Sequence, residues 1–193
     1  MRWTRFAGAA FVLAAIVAVG LTPSCATKGT QQTAVANVDP IARGKYLTTV
    51  MSCVDCHTPG TFYGAPDTMR RLSGSDLGWV GPWGVVHARN LTPDSATGIG
   101  TWTTDQIVTA LRTGNTPDGT QLAPIMPWLN FTNLREDDAQ AIAAYLKSIP
   151  PVTHKNLDRI PPGQKPTGAL IFFPPPPAWD APKAPPGGDA SKP

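Results

Sequence analysis

Residues 53–57 have the sequence Cys53-Val54-Asp55-Cys56-His57, and the rest of the chain is best interpreted outward from them. The chain contains three cysteines, and two of them lie in this stretch, separated by two residues. Such close spacing is a poor framework for stapling a fold with disulfides. Paired thiols followed directly by a histidine are instead typical of a site that holds a cofactor.

The spacing of these thiols matches the attachment pattern of a c-type haem. Each thiol can form a thioether to one vinyl position of the porphyrin, and the adjacent histidine then faces the iron. A structural zinc site needs about four ligands, but outside the motif only His87 and His154 remain, with no second cysteine pair. A thioredoxin-like pair requires a βαβ setting, which is absent. We predict one covalent haem c at Cys53 and Cys56, with His57 as the first iron ligand.

The second iron ligand must come from a distant part of the chain, on the opposite side of the ring. Met51 lies too close to Cys53 to cross the ring. Met126 lies between Pro124 and Pro127, which disfavour helix and favour an extended segment that aims the thioether inward. We therefore predict Met126 as the second ligand. The remaining candidates are expected to act as core filler, packing or solvated side chains: Met69, His87 and His154.

Ligation by histidine and methionine indicates a carrier of single electrons. A neutral thioether favours Fe(II) and raises the reduction potential, as in electron-carrying cytochromes. A six-coordinate iron has no vacant position for oxygen or peroxide, which argues against an enzyme and predicts no catalytic residues. A haem-based sensor or gas-binding module with a labile Met126 is the alternative, and an uncharacterised haem enzyme is a third.

The charge of the chain argues against one class of partner. Charged residues make up 15% of the sequence, and the formal net charge of +3 comes from scattered positions. Nucleic-acid-binding proteins concentrate Lys and Arg in a patch or stripe, and no such block occurs here. We expect redox partner proteins, either a dehydrogenase or an oxidase, and no nucleic acid.

The amino terminus has the features of an export signal. Arg2 and Arg5 precede an apolar run over residues 6–21. This run is shorter than the roughly 20 apolar residues that a transmembrane helix needs. We predict that residues 1–26 are a cleaved signal peptide or a lipoprotein leader, with a retained membrane anchor as the alternative.

Three routes are open for this leader, and all of them lead to the periplasm. Cleavage after Ala26 would release a soluble protein, lipidation of Cys25 would tether it to the membrane, and a retained anchor would do the same. Residues 27–38 are small and polar without an apolar period, which predicts a flexible spacer. Structure is expected to begin at residue 39.

Capping signals predict the first two helices of the folded part. Asp39 can accept a free backbone N–H, and Pro40 is well suited to the first helical position. Thr103 with Gln106 three residues later matches a capping box for a second helix, which Gly114 would end.

A third helix and a long loop complete the predicted domain, residues 39–152. Asn133 with Glu136 is predicted to cap a helix of apolar period that ends before Pro150. Residues 58–100 have little period and many glycines and prolines, and we find no alternation long enough to predict a sheet. A loop of this length is uncommon in a compact domain unless it packs on something else, such as a large flat cofactor.

Residues 153–193 are rich in proline and are predicted to form an unpacked, semi-rigid tail. Residues 170–173 are its one apolar segment, able to pack back on the domain or to bind a partner.

Six further side chains are expected to contact the haem. The tryptophans Trp79, Trp83, Trp102 and Trp128 are expected to pack around the porphyrin. Arg89 and Asn90 are expected to contact a propionate.

Several segments in the expected order resemble a class I cytochrome c domain. They are Asn90-Leu91-Thr92-Pro93-Asp94, Gly98-Ile99-Gly100-Thr101-Trp102, Asp118-Gly119, Met126-Pro127 and Ala143-Ala144-Tyr145-Leu146. The likeness is greatest to the haem domains of cytochrome subunits that serve periplasmic alcohol, aldehyde and gluconate dehydrogenases. Those subunits usually carry several haem domains, whereas this chain has one attachment motif, and residues 61–77 are less familiar.

The resemblance implies an all-α cytochrome c fold, with about three to four helices around one haem, long loops and the extended tail. It implies that the first helix, through Gly44 and Tyr46, crosses the last helix near Tyr145. It also implies that Cys53 and Cys56 bind haem, with His57 and Met126 as axial ligands.

Overall fold

The structure is a computed structural model, and it describes residues 38–173. The predicted leader with Cys25, nearly all of the predicted spacer and residues 174–193 of the proline-rich tail lie outside the described residues. No helix within residues 38–173 is long and apolar enough to cross a membrane.

Within residues 38–173, five helices and two short 3-10 turns precede the C-terminal segment. The 3-10 turns are Thr61–Tyr63 and Thr68–Arg70. The helices are α1 (Pro40–Val50), α2 (Cys53–His57), α3 (Thr104–Thr113), α4 (Trp128–Phe131) and α5 (Glu136–Ser148).

Two of the three predicted caps are confirmed. The carboxylate of Asp39 accepts hydrogen bonds from the first turn of α1, and Thr103 and Gln106 form the capping box of α3. The predicted cap of α5 is wrong, because the helix begins one residue after Arg135, which has no side-chain acceptor. Asn133 instead donates from Nδ2 to the carbonyl of Asn130, within the turn that follows α4.

The first and last helices cross at a glycine, as the resemblance implied. A methyl group on Gly44 would lie 2.6 Å from Cβ of Tyr145, so the two backbones approach too closely for any side chain at this position. Around this crossing lies the hydrophobic core, which is built mainly from α1, α3 and α5. Its buried members include Leu47, Ile107, Leu111, Ile142 and Leu146.

The prediction of an all-α fold is wrong, because the chain also forms a three-stranded mixed sheet. The strands are β1 (Ser75–Gly81), β2 (Gly84–Ala88) and β3 (Leu170–Phe172), in the order β2-β1-β3. β1 and β2 form an antiparallel hairpin, and β3 adds to β1 in parallel, with Trp79 opposite Ile171.

The sheet was not predicted from the sequence, for a physical reason. The pairing of β1 with β2 shifts register between Ser75 and Gly78, and glycines at 78, 81 and 84 interrupt any alternation of side chains. A parallel partner from the far end of the chain leaves no local pattern at all. Residues 58–100 therefore contain a hairpin where a structureless loop was predicted.

The described part of the tail is packed rather than free. Residues 152–160, which we call the strap, follow α5 and contact the loops on both sides of the hairpin, and Ile160 pairs with Val85 of β2. The backbone N–H of Phe173 then donates to the carbonyl of Val80 at 2.8 Å. The expectation of an unpacked tail is therefore wrong for the strap and for residues 170–173.

Candidate haem site

Both thiols of the motif lie on the short helix α2. Ser52, with φ of 60°, makes the turn that separates α2 from α1. Cys53 and Cys56 are free cysteines of intermediate burial. Residues three apart in a helix lie on the same face, so both sulfurs are presented on one side of α2.

The surroundings of the two sulfurs favour an uncharged form. Burial raises the pKa of the Cys53 thiol to about 11. Burial, with the nearby carboxylate of Asp55, also raises the pKa of Cys56. A thioether sulfur is neutral as well, so attachment of both cysteines to a porphyrin would bury no charge at this site.

The imidazole of His57 is buried and held by one backbone carbonyl. Its Nδ1 lies 2.7 Å from the carbonyl oxygen of Arg89. A carbonyl can only accept, so Nδ1 carries the hydrogen and donates it. Burial lowers the pKa of His57, and the Arg89 carbonyl opposes this shift. Burial, the larger effect, favours the neutral ring, and donation from Nδ1 leaves the lone pair on Nε2, which is the form that binds a metal.

Two loops hold this arrangement from outside. The backbone N–H of Gly74 donates to the carbonyl of His57 at 2.8 Å, and that of Leu72 donates to Oγ1 of Thr58 at 3.1 Å. The carbonyl of Leu72 in turn accepts from the N–H of Leu91 at 2.8 Å. Leu72 is fully buried and has a φ of 62°, which is unusual for a residue other than glycine.

Met126 lies in a turn rather than in the extended segment that was predicted. Its backbone N–H donates to the carbonyl of Ala123 at 2.9 Å, and its own carbonyl accepts from Trp128 at 2.7 Å. The indole N–H of Trp128 donates to the carbonyl of Leu122 at 3.2 Å. These bonds hold Met126 at intermediate burial between α3 and α4.

The structure places the motif and Met126 against the same hydrophobic core. Cys53, Val54, Leu91, Trp102 and Met126 are all partly buried and pack against it. This donor set fits a c-type haem, since it combines two neutral thiols, an imidazole with a free Nε2, a thioether and apolar walls. Which side chains touch the ring stays a prediction.

Two of the four tryptophans belong to the sheet. Trp79 packs edge-on to Phe62 at a centroid distance of 5.1 Å and stacks with Phe173 at 6.1 Å. Trp83 also contacts Phe173, at 6.0 Å, and donates its indole N–H to the carbonyl of Trp79. These side chains form an aromatic cluster of the sheet.

The side chains of Arg89 and Asn90 both bond to protein groups, and their contact with a propionate stays a prediction. Arg89 forms an exposed ion pair with Asp118 at 3.5 Å, and its contribution to the site is its carbonyl. Asn90 is almost fully buried and bonded to neighbouring loops. Sequence reasoning missed the backbone role of Arg89, because a carbonyl leaves no residue-type signal.

The other iron-ligand candidates lie elsewhere. Met69 is 86% exposed and His87 is in β2. His154 was expected to be solvated, but it is packed in the strap, where its side chain is 14% exposed.

Comparison with known proteins agrees with the resemblance described above. The family model described as "Cytochrome c" matches residues 41–150, more than half of the chain. The chain is 33% identical to the cytochrome c subunit of the quinone-type alcohol dehydrogenase of Gluconobacter oxydans, over 60% of this chain and 23% of the relative. It is also 33% identical to the cytochrome c subunit of gluconate 2-dehydrogenase of Pantoea cypripedii, over 64% of this chain and 26% of that subunit.

A di-haem relative is matched over more of its length. The chain is 28% identical to a di-haem c-type cytochrome of Cereibacter sphaeroides, over 78% of this chain and 50% of that protein. The chain thus spans about a quarter of the length of the two dehydrogenase subunits and half of the di-haem protein.

Proposed function

This chain belongs to the cytochrome c family, an electron-transfer family with covalently bound haem c, and we propose that it is a mono-haem carrier of single electrons in the periplasm. Its donor is a dehydrogenase or a quinol-linked protein, and its acceptor is a terminal oxidase or a similar protein. Support for a dehydrogenase comes from the names of the relatives, which are cytochrome subunits of such enzymes.

One observation carries the assignment of the site. His57 directly follows the thiol pair, and its Nδ1 donates to the carbonyl of Arg89 at 2.7 Å. This bond fixes the tautomer and the orientation of the ring, as the outer partners of metal-binding histidines commonly do. The lone pair of Nε2 is then directed away from the loop that contains Arg89.

Each side chain of the site has a defined task in this proposal. Cys53 and Cys56 attach the ring through thioethers, His57 binds the iron through Nε2, and Met126 binds it through sulfur. When bound, the haem supplies the one-electron chemistry of iron between Fe(III) and Fe(II). The burial of His57, together with the neighbouring core, keeps water away from its imidazole.

The number of haems and the location rest on the sequence. The chain contains a single Cys-x-x-Cys-His motif, which supports one haem. The export features of residues 1–26 support a periplasmic location, with a membrane tether through a lipidated Cys25 or a retained anchor.

The absorption spectrum of the purified protein tests this proposal. We expect haem that stays with the polypeptide in acidic organic solvent, and a methionine-to-Fe(III) charge-transfer band in the oxidised form. Met126→Ala should abolish this band. Met69→Ala is the matched control and should keep it, because Met69 is 86% exposed. Haem that is extracted by the solvent would refute covalent attachment.

Carbon monoxide separates the carrier from the sensor. The reduced wild-type protein should show no shift on addition of the gas, because both axial positions are filled, whereas Met126→Ala should bind it. A shift in the wild type would favour the gas-binding alternative.

A second experiment tests the electron donor. Mixing the oxidised protein with substrate-reduced alcohol or gluconate dehydrogenase should reduce the haem rapidly. No reduction by either enzyme would argue against a dehydrogenase donor.

A further inference from the structure

The strap begins with residues that join both loops around His57. These residues, 152–154, follow α5 and lie just beyond the part of the chain that the family model matches. One loop, residues 89–97, provides the carbonyl that holds the imidazole, and we call it the Asn90 loop. The other, residues 72–74, bonds to the backbone at His57, and we call it the Ser73 loop.

Asn90 connects the first loop to the strap. Its Nδ2 donates to the carbonyl of Val152 at 2.7 Å and to Oγ1 of Thr97 at 3.1 Å. Its Oδ1 accepts from the backbone N–H of Thr92 at 2.9 Å. Since Asn90 is only 1% exposed and directly follows Arg89, these bonds restrain the peptide whose carbonyl meets His57.

Thr92 adds a second connection between the same two segments. Its hydroxyl accepts from the N–H of Val152 at 3.0 Å and lies 2.7 Å from Oδ1 of Asn90. Both backbone groups of Val152 are therefore used to hold the Asn90 loop. Thr92 is fully buried, so water cannot replace these bonds in the folded protein.

His154 connects the strap to the second loop. Its Nδ1 lies 2.9 Å from the carbonyl oxygen of Ser73, so Nδ1 donates to it. The backbone N–H of His154 donates to Oγ1 of Thr97 at 3.0 Å, which ties the same residue to the Asn90 loop. Its Nε2 lies 3.5 Å from Oδ2 of Asp76 at the start of β1.

We propose that residues 152–154 are positioning residues for His57: by clamping the Asn90 and Ser73 loops together, they hold the Arg89 carbonyl against Nδ1 and thereby lower the reduction potential. This inference rests on the proposed ligation of iron by His57. A firm hydrogen bond at Nδ1 raises the basicity of the ligand, and a more basic ligand favours Fe(III). Loosening the clamp should therefore raise the potential.

The reduction potential of the holoprotein, measured by equilibrium titration, tests the clamp. In His154→Leu the bond to Ser73 is lost, and we expect a roughly threefold shift of the iron equilibrium toward Fe(II). At 59 mV per tenfold change for one electron, this is about 28 mV upward. His154→Asn keeps an N–H near the position of Nδ1 without reaching Asp76, and should restore most of the wild-type potential.

A second variant tests the other connection of the clamp, and a control tests whether any change in the strap alters the potential. Thr92→Val removes the hydroxyl while keeping the shape of the side chain, and should also raise the potential. Arg159→Ala is the control, because Arg159 lies in the strap but donates to the carbonyl of Trp83, away from both loops. It should leave the potential unchanged. The charge-transfer band of methionine should persist in all four variants.

The outcomes separate this inference from the proposed function. An unchanged or lowered potential in Thr92→Val, with haem covalently bound, would overturn the clamp and leave the carrier function standing. Equal shifts in His154→Leu and His154→Asn would assign the effect to Asp76 instead of Ser73, and would also overturn it. Absence of covalent haem in the wild type would refute the proposed function itself. If His154→Leu fails to fold, Thr92→Val alone gives the answer.

Discussion

The helical part of the molecule, α1 to α5, and the sheet part, β1 to β3 with the strap, differ in how far along the chain their backbone hydrogen bonds reach. Two of the main helices are bounded by neighbouring residues with a local role: Asp39 caps α1, and Thr103 and Gly114 bound α3. The sheet instead pairs β1 with a strand from beyond the last helix. The comparison teaches that the thiol pair lies on a helix whose hydrogen bonds are local, whereas the orientation of His57 depends on contacts with distant parts of the chain.

The largest expected effect tests the helical part at its closest contact. Gly44→Ala should destabilise the protein by about 3 kcal/mol or more, because the new methyl group would lie 2.6 Å from Cβ of Tyr145 and would force α1 and α5 apart. Denaturant unfolding of the holoprotein measures the loss. Lys45→Ala, at the neighbouring exposed position, is the control and should cost less than about 0.5 kcal/mol. Similar stabilities for the two variants would contradict a tight crossing.

A smaller effect is expected in the sheet part. Phe173→Ala removes aromatic contacts to Trp79 and Trp83 and should destabilise the protein by about 1–2 kcal/mol. Phe172→Ala is the matched control, because Phe172 is 62% exposed, and it should change the unfolding free energy by less than about 0.5 kcal/mol. If Phe173→Ala left the stability unchanged, β3 would not be docked on β1 in solution.

The helical part also offers a gain of stability. Arg135 precedes α5 and provides no side-chain acceptor for the first turn, so Arg135→Ser should supply a cap and stabilise the protein by about 0.5–1 kcal/mol. The lost ion pair with Asp137 is exposed on both sides and should matter little. Thermal unfolding measures the difference. A lower melting temperature would mean that the extended backbone at Arg135 does not present the serine hydroxyl to the helix.

The smallest expected effect is on the pH dependence of stability, and it concerns Asp118. Hydrogen bonds from Thr116 and Thr120 lower the pKa of Asp118 to about 2 from an ordinary value of 3.8. A lowered folded-state pKa stabilises the protein above the unfolded value, and this stabilisation is lost as the pH falls from 3.8 toward 2. Asp118→Asn should therefore flatten the stability curve in this window. An unchanged slope would show that the hydrogen bonds at Asp118 do not persist in solution.

Local signals account for what the sequence predicted well. The Cys53-to-His57 motif and the caps at Asp39 and Thr103 each depend on residues within one turn of each other, so residue type and spacing were sufficient. The same reasoning failed for α5, because Asn133, the predicted cap, bonds to Asn130 in the turn after α4 and the helix begins only at Glu136.

The amino-acid sequence alone determined the family, the Cys-x-x-Cys-His motif and the main helices, because these follow from the order of neighbouring residues. The sheet, the docking of the strap and the carbonyl that holds His57 emerge only when distant segments meet. In most of their bonds at least one partner is a backbone group, which every residue carries. The side chains that mark a site can be identified from the sequence, whereas the contacts that orient those side chains belong to the folded chain.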